Sequence, residues 1–304
     1  MLLGIALAAV IALALLAGWL GFRTACLWGR YIDPLREDIY HKGIYARNGA
    51  VLYESSLRLA EYPAEDVEIT SFDGLRLFAR LLPLDNAKGT ILLFHGFHST
   101  PDADFGCAVP LLRDMGYQLL LVEERAHQRS EGKYLTFGVR ERQDVLSWVR
   151  EMERRMGKAH PLYIEGISMG ASTVLMASAL DLPASVCGII ADCGFTSPAD
   201  IVAEVMKGMH VPKLAQYLAE LWCRLLAHFS MWETSAPEAL SKCKLPVLFI
   251  HGTADSFVPC RMTEENYAAC ASPKTLVLVE GAEHGESFLI DRPRCEKALR
   301  EFLK

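Results

Sequence analysis

The sequence predicts an α/β protein: a mostly parallel central sheet with helices on both faces and a helical insertion late in the chain. Three observations predict it. From Val67 onward, short continuous apolar runs alternate with amphipathic stretches, the pattern of strands covered on both faces by helices. The chain has 304 residues, 51% of them hydrophobic, enough for a full core around such a sheet. One stretch, 199 to about 232, drops the alternation and repeats its apolar residues at helical spacing, which marks an insertion.

The chain opens on residues 2–20, which hold no charged or strongly polar side chain. Roughly 20 such residues in a helix span a bilayer core. A cleaved signal peptide wants a basic residue ahead of a shorter apolar run; nothing basic precedes this one, and Ala12-Leu13-Ala14 falls inside it. Residues 1–22 therefore read as an uncleaved, single-pass transmembrane anchor, 23–63 as a juxtamembrane segment and 64–304 as the globular domain. Arg23, Arg30, Arg36, Lys42 and Arg47 all follow the span, so the positive-inside rule keeps the domain in the cytoplasm. Tyr31, Tyr40, Tyr45 and Tyr53 punctuate the juxtamembrane segment and read mainly as packing residues.

In the domain, runs at 67–70 and 75–78 flank Phe72-Asp73-Gly74, a hairpin signal. Apolar runs at 91–94, 119–122, 162–164, 186–191, 247–250 and 275–279 read as buried strands. Helical patterns lie between them at 103–115, 139–156, 169–180, 262–271 and 287–303. In the insertion, about 199–235, Ile201, Val205, Leu214, Leu218, Leu221, Trp222 and Leu225 keep helical spacing, and Pro212 divides two helices. An insertion near the carboxyl edge of the sheet suits a lid over a site.

The net charge is −6, with Lys and Arg spread along the chain. That lacks the concentrated basic face a nucleic acid would need. The nine cysteines are odd in number, and none makes a C-x-x-C pair. This argues against a zinc site and for free thiols in a reducing compartment. No metal or organic cofactor is implied.

The chemistry centres on Gly166-Ile167-Ser168-Met169-Gly170, which ends a predicted strand and opens a predicted helix. A sharp strand-to-helix turn crowds the backbone, so small residues are needed two before and two after the serine. It lifts the hydroxyl above the sheet and aims the N–H groups of the helix N-terminus at developing negative charge. A serine hydroxyl needs a base. His284, in Gly281-Ala282-Glu283-His284-Gly285, follows the last strand and precedes the last helix. Asp255 ends the loop His251-Gly252-Thr253-Ala254-Asp255 and orients the imidazole, with Asp192 as the alternative acid. Ser168, Asp255 and His284 run in the order expected for such a turn. Two backbone donors, Met169 N–H and Phe97 N–H in His95-Gly96-Phe97-His98, are expected to form the oxyanion hole. His95 and His98 read as structural or pocket-lining, because the mechanism needs no second base.

Together these residues resemble the α/β-hydrolase superfamily. They look closest to the bacterial serine-aminopeptidase-like, membrane-anchored α/β hydrolases. The resemblance runs from about Val67 to the C-terminus and includes His95-Gly96-Phe97, Asp192-Cys193-Gly194-Phe195-Thr196-Ser197 and His251 to Pro259. A further segment is Glu124-Arg125-Ala126-His127-Gln128-Arg129-Ser130, where the family usually has Asp-x-Arg-Gly-His-Gly-x-Ser. Glu124, Ala126 and Gln128 depart from that pattern, in a loop the family uses structurally. The resemblance implies a carboxylesterase-like serine hydrolase acting on a small-molecule ester without a cofactor. Two alternatives stay open: a peptidase using Glu204, Glu220 or Glu233 to hold an N-terminal ammonium, and a catalytically silent membrane-tethered binding module.

Overall fold

The computed structural model describes residues 2–303. Eight strands form one sheet in the order β1-β2-β4-β3-β5-β6-β7-β8. They are β1 (Glu65–Thr70), β2 (Arg76–Leu82), β3 (Gly89–Phe94), β4 (Tyr117–Glu123), β5 (Leu162–Ile167), β6 (Val186–Asp192), β7 (Val247–Gly252) and β8 (Lys274–Val279). The hairpin β1–β2 closes where Ser71 N–H donates to the Leu75 carbonyl at 2.8 Å. β2 meets β4 antiparallel, and the remaining pairs are parallel. The predicted strands all form, each within a few residues of its apolar run. β3, β4 and β7 are buried along their whole length, as strands covered on both faces must be.

The helices are α1 (Leu2–Cys26), α2 (Gly49–Ala60), α3 (Pro101–Phe105), α4 (Val109–Asp114), α5 (Glu141–Met156), α6 (Met169–Ala177), α7 (Pro198–Gly208), α8 (Leu214–Trp222), α9 (Ala236–Leu240), α10 (Cys260–Ala269), α11 (Ser287–Ile290) and α12 (Arg292–Phe302). Strand alternation sends Leu92 and Phe94 to one core, with Trp148 of α5 and Val174 of α6. Ile91 and Leu93 enter a second core on the other face, with Leu112 of α4 and Leu299 of α12.

Two predicted helices are broken. The 103–115 pattern divides into α3 and α4 because Pro110, at the start of α4, has no N–H to continue a helix from α3. The 287–303 pattern divides at Asp291, whose carboxylate accepts the Arg294 N–H and caps α12, with Pro293 in its first turn. α2 lies within residues 23–63, where no helix was predicted. Its buried face is Gly49, Ser55, Ser56 and Leu59, too polar to leave an apolar stripe in the sequence.

The insertion forms α7 and α8, then a π-helical turn at Cys223–Ala227. Together with the end of α1 it builds a third apolar cluster: Phe22 and Cys26 pack with Cys223, Phe229, Met231, Phe195 and Met169. α1 and α8 approach at Gly18, where an added Cβ would lie 2.6 Å from that of Leu218. Trp222 Nε1 donates to the Leu15 carbonyl at 3.0 Å. α1 is the one helix among the described residues long and apolar enough to cross a membrane, and most of it stands clear of the domain.

Candidate active site

β5 delivers Ser168 to a turn with φ 55° and ψ −116°, a conformation ordinary L residues rarely adopt. Two glycines make room for it. A Cβ on Gly170 would overlap the Phe94 carbonyl, and one on Gly166 would overlap the Gly170 backbone. α6 starts at Met169, so the Met169 N–H has no acceptor within its own helix.

The turn brings Ser168 Oγ to 2.8 Å from His284 Nε2. His284 Nδ1 lies 2.7 Å from Asp255 Oδ2. The other carboxylate oxygen accepts the Phe257 and Val258 N–H groups at 2.9 and 2.8 Å. Burial raises the Asp255 carboxyl, and the hydrogen bonds from His251 and His284 outweigh it, holding the group well below the usual carboxylate range. Asp192, the alternative acid, accepts the Ser287 hydroxyl at 3.4 Å and leaves the ring to Asp255.

Three contributors escaped the sequence reading. His251 donates to Asp255 Oδ2 through Nε2 at 3.0 Å. That nitrogen also faces the Val258 carbonyl at 3.0 Å, so it carries the proton. The four-residue spacing to Asp255 was the available signal. Asp104 accepts the Gly96 N–H at 2.6 Å and the Ser99 and Tyr45 hydroxyls, fixing the loop before Phe97. Cys193, buried at φ 48°, is the third: its sulfur and the ligand atoms of Asp255 and His284 lie within 4.8 Å of one another. This is the trio that could approach a metal among the described residues, but Asp255 and His284 already bond each other.

His95 is fully buried. Nδ1 donates to the Gly96 carbonyl and Nε2 accepts the Glu124 N–H, a structural arrangement. His98 stacks between Trp28 and Phe97, and burial pushes its ring down to about 3. The loop that departs from the family pattern holds the chain that follows α1. Gln128 Oε1 accepts the Ile32 N–H at 2.8 Å, and Gln128 Nε2 donates to the Ile32 carbonyl at 2.7 Å. Ala126 and Gln128, at φ 61° and 50°, take left-handed conformations that the glycines of the pattern would adopt freely.

A cavity of about 450 Å³ opens beside Ser168. Its wall includes Phe97, Phe105, Ile167, Phe257 and Phe288, together with Ile32, Ile39 and Tyr45 between α1 and α2 and Leu52 of α2. Residues 199–235 contribute nothing to that wall; the insertion packs on Met169 and Phe97 from outside. Glu204 and Glu220 pair with Arg261 and Arg224, and Glu233 lies 3.5 Å from Arg142, so none of these acids faces the cavity.

The Pyrococcus furiosus esterase Pf2001 is similar to this chain over 81% of its length and 94% of that chain, with TM-score 0.64 and 22% identity. This chain has the α/β-hydrolase fold. The hydrolase GrgF from Penicillium sp. sh18 (TM-score 0.61, 17% identity, covering 80% of this chain and 100% of that one) shares it. So does a dienelactone hydrolase from Anabaena variabilis ATCC 29413 (TM-score 0.55, 17% identity, 80% and 99%). By sequence, the chain is 28% identical over 197 residues to YqkD, an uncharacterized protein of Bacillus subtilis (strain 168), covering 64% of each. It is 26% identical over 233 residues to YfhR, an uncharacterized protein of Escherichia coli (strain K12), covering 75% of each. No protein-family model matches the sequence.

Proposed function

We propose that this α/β-hydrolase domain is a serine hydrolase of carboxylic esters. The observation that carries the reading is the chain of contacts Ser168 Oγ–His284 Nε2 at 2.8 Å and His284 Nδ1–Asp255 Oδ2 at 2.7 Å, set beside an apolar cavity. Ser168 Oγ attacks the ester carbonyl while His284 takes its proton; Asp255 holds the ring and stabilises the imidazolium. The Phe97 and Met169 N–H groups bind the oxyanion, a role open to Phe97 because Gly96 N–H is already committed to Asp104. His284 returns the proton to the leaving alcohol, and water, activated by the same ring, frees the acid and Ser168.

The reading also makes α1 a retained membrane anchor with the domain on the cytoplasmic side. Its support is that Phe22, Cys26 and the Leu15 carbonyl are built into the packing of α8, which a cleaved leader would strip away. The five basic residues that follow the span support the orientation. Serine-directed fluorophosphonate labelling and hydrolysis of short p-nitrophenyl esters test the enzyme: Ser168→Ala abolishes both while the variant stays folded. Undiminished turnover by that variant sinks the assignment.

A further inference from the structure

We propose that the cavity beside Ser168 recognises a protonated amine through Glu165 and Asp192, so that the ester it takes carries an aliphatic ammonium group. The inference rests on the hydrolase reading and names its substrate class. Along β5, Leu162 and Ile164 enter one core, while Tyr163 and Ile167, two residues to either side of Glu165, enter the other. Glu165 pairs with Ile190 of β6, two residues before Asp192, so the two carboxyls stand on neighbouring strands and the same face. Both belong to the cavity wall, beside Ile250, Cys295 and Leu299.

Glu165 is only 9% exposed, and its Oε2 has no hydrogen-bond partner among the described residues. Asp192 has the single long contact from Ser287. Buried acids are ordinarily paired, and an unpaired one costs the fold stability. Among the described residues no Lys or Arg pairs with either acid. Lys42, the one such residue in the wall, is exposed and turned to Asp38, while His284 is committed to Ser168 and Asp255. Burial, with Asp192 adding to it, lifts Glu165 to about 8. Burial also lifts Asp192 to about 6, against the pull of His251 and His284. An ammonium offers three donors and a positive charge, which supply the missing hydrogen bonds and favour the ionised form of carboxyls that burial otherwise keeps protonated. Glu165 precedes Ser168 by three residues, about 10 Å along a strand. A short apolar spacer lying against Ile167 and Ile250 would therefore set the ester carbonyl at Ser168.

The full chain in detergent decides between this and a plain acyl pocket. Turnover of p-nitrophenyl aminohexanoate is compared with that of the isosteric p-nitrophenyl heptanoate. Wild type prefers the ammonium ester in kcat/KM by about tenfold or more, and Glu165→Gln removes about that factor from the ratio. Independently of any variant, hexylamine slows fluorophosphonate labelling of Ser168 more than hexanol does. A preference for heptanoate with the same ratio in Glu165→Gln, or hexylamine protecting no better than hexanol, overturns the inference while leaving the hydrolase intact. A wild-type chain that is neither labelled nor active overturns the hydrolase reading and the inference with it.

Discussion

His251 Nε2 lies 3.0 Å from Asp255 Oδ2, the same oxygen that His284 Nδ1 approaches at 2.7 Å. One carboxylate oxygen thus serves two rings, and His251 is held in turn by Thr263 Oγ1 at 2.7 Å. In the proposed mechanism His251 touches no substrate; it holds the carboxylate that orients His284. A hydrogen bond to a charged group contributes about 1.5–3 kcal/mol. His251→Ala should therefore lower kcat by about ten- to a hundredfold with little change in KM. His251→Gln, whose amide can reach the same oxygen, should recover most of the rate. Steady-state kinetics on a soluble ester measure both, and a wild-type kcat in His251→Ala removes the positioning role.

The backbone at Ser168 is one that glycine adopts without strain. Relief of about 1–3 kcal/mol exceeds the entropic cost of glycine, about 0.5–1 kcal/mol. Ser168→Gly should be inactive yet more stable than wild type by about 1 kcal/mol, while Ser168→Ala, which keeps a Cβ in the strained turn, should match wild type. Urea unfolding compares the three. A glycine variant less stable than the alanine variant means that the turn stores no strain.

The strands and the Ser168 turn were legible because each is a local pattern: a doubly covered strand needs a continuous apolar run, and the turn needs glycine at 166 and 170. The partners of Asp255 were only half legible. His284 sits alone between glycines after the last strand, whereas His251, inside a motif already in view, has only its four-residue spacing to Asp255, which does not say that a tight loop folds the two side chains together. The cavity wall was not legible. Ile32 and Leu52 reach it through tertiary contacts of a segment whose buried face is small and polar, and Glu165 reads in sequence as an ordinary residue in a strand.

Glu165 gives stability a pH dependence of known sign. Burial raises its carboxyl from the ordinary 4.5 to about 8 in the folded chain, so the folded state keeps a proton that the unfolded state has released. Between those limits the unfolded state binds fewer protons, and stability falls as pH rises. Glu165→Gln keeps the shape and cannot ionise. It should match wild type near pH 4 and exceed it by a few kcal/mol at pH 8. Thermal unfolding at the two pH values reads the difference; a gap that does not widen with pH places the carboxyl in a wetter setting.

Gln128 clamps Ile32 by two hydrogen bonds, and Ile32 is part of the cavity wall. Gln128→Ala removes both bonds at a cost of about 1–3 kcal/mol and loosens one side of the cavity. The contacts among Ser168, His284 and Asp255 are untouched, so KM for a medium-chain ester should rise severalfold while kcat stays near wild type. A fall in kcat at constant KM would locate the effect of Gln128 in the catalytic geometry.

Gly18 tests whether α1 is part of the fold or a passive tether. A Cβ at Gly18 would lie 2.6 Å from Leu218 Cβ and 2.9 Å from its carbonyl oxygen, whereas a Cβ at Gly4 would meet nothing within 4 Å. Gly18→Leu must therefore push α1 off α8 and stretch the bond from Trp222 Nε1 to the Leu15 carbonyl. Overpacking of this kind costs about 1–3 kcal/mol. Leucine also favours a helix over glycine by most of a kcal/mol, and Gly4→Leu carries that gain alone. In detergent, Gly18→Leu should unfold at a lower temperature than wild type and Gly4→Leu at the same or a higher one. Because Phe22 and Cys26 join α1 to the cluster around Met169, the Gly18 variant should also slow ester turnover. Equal melting temperatures for the two variants would reduce α1 to a tether that the domain does not feel.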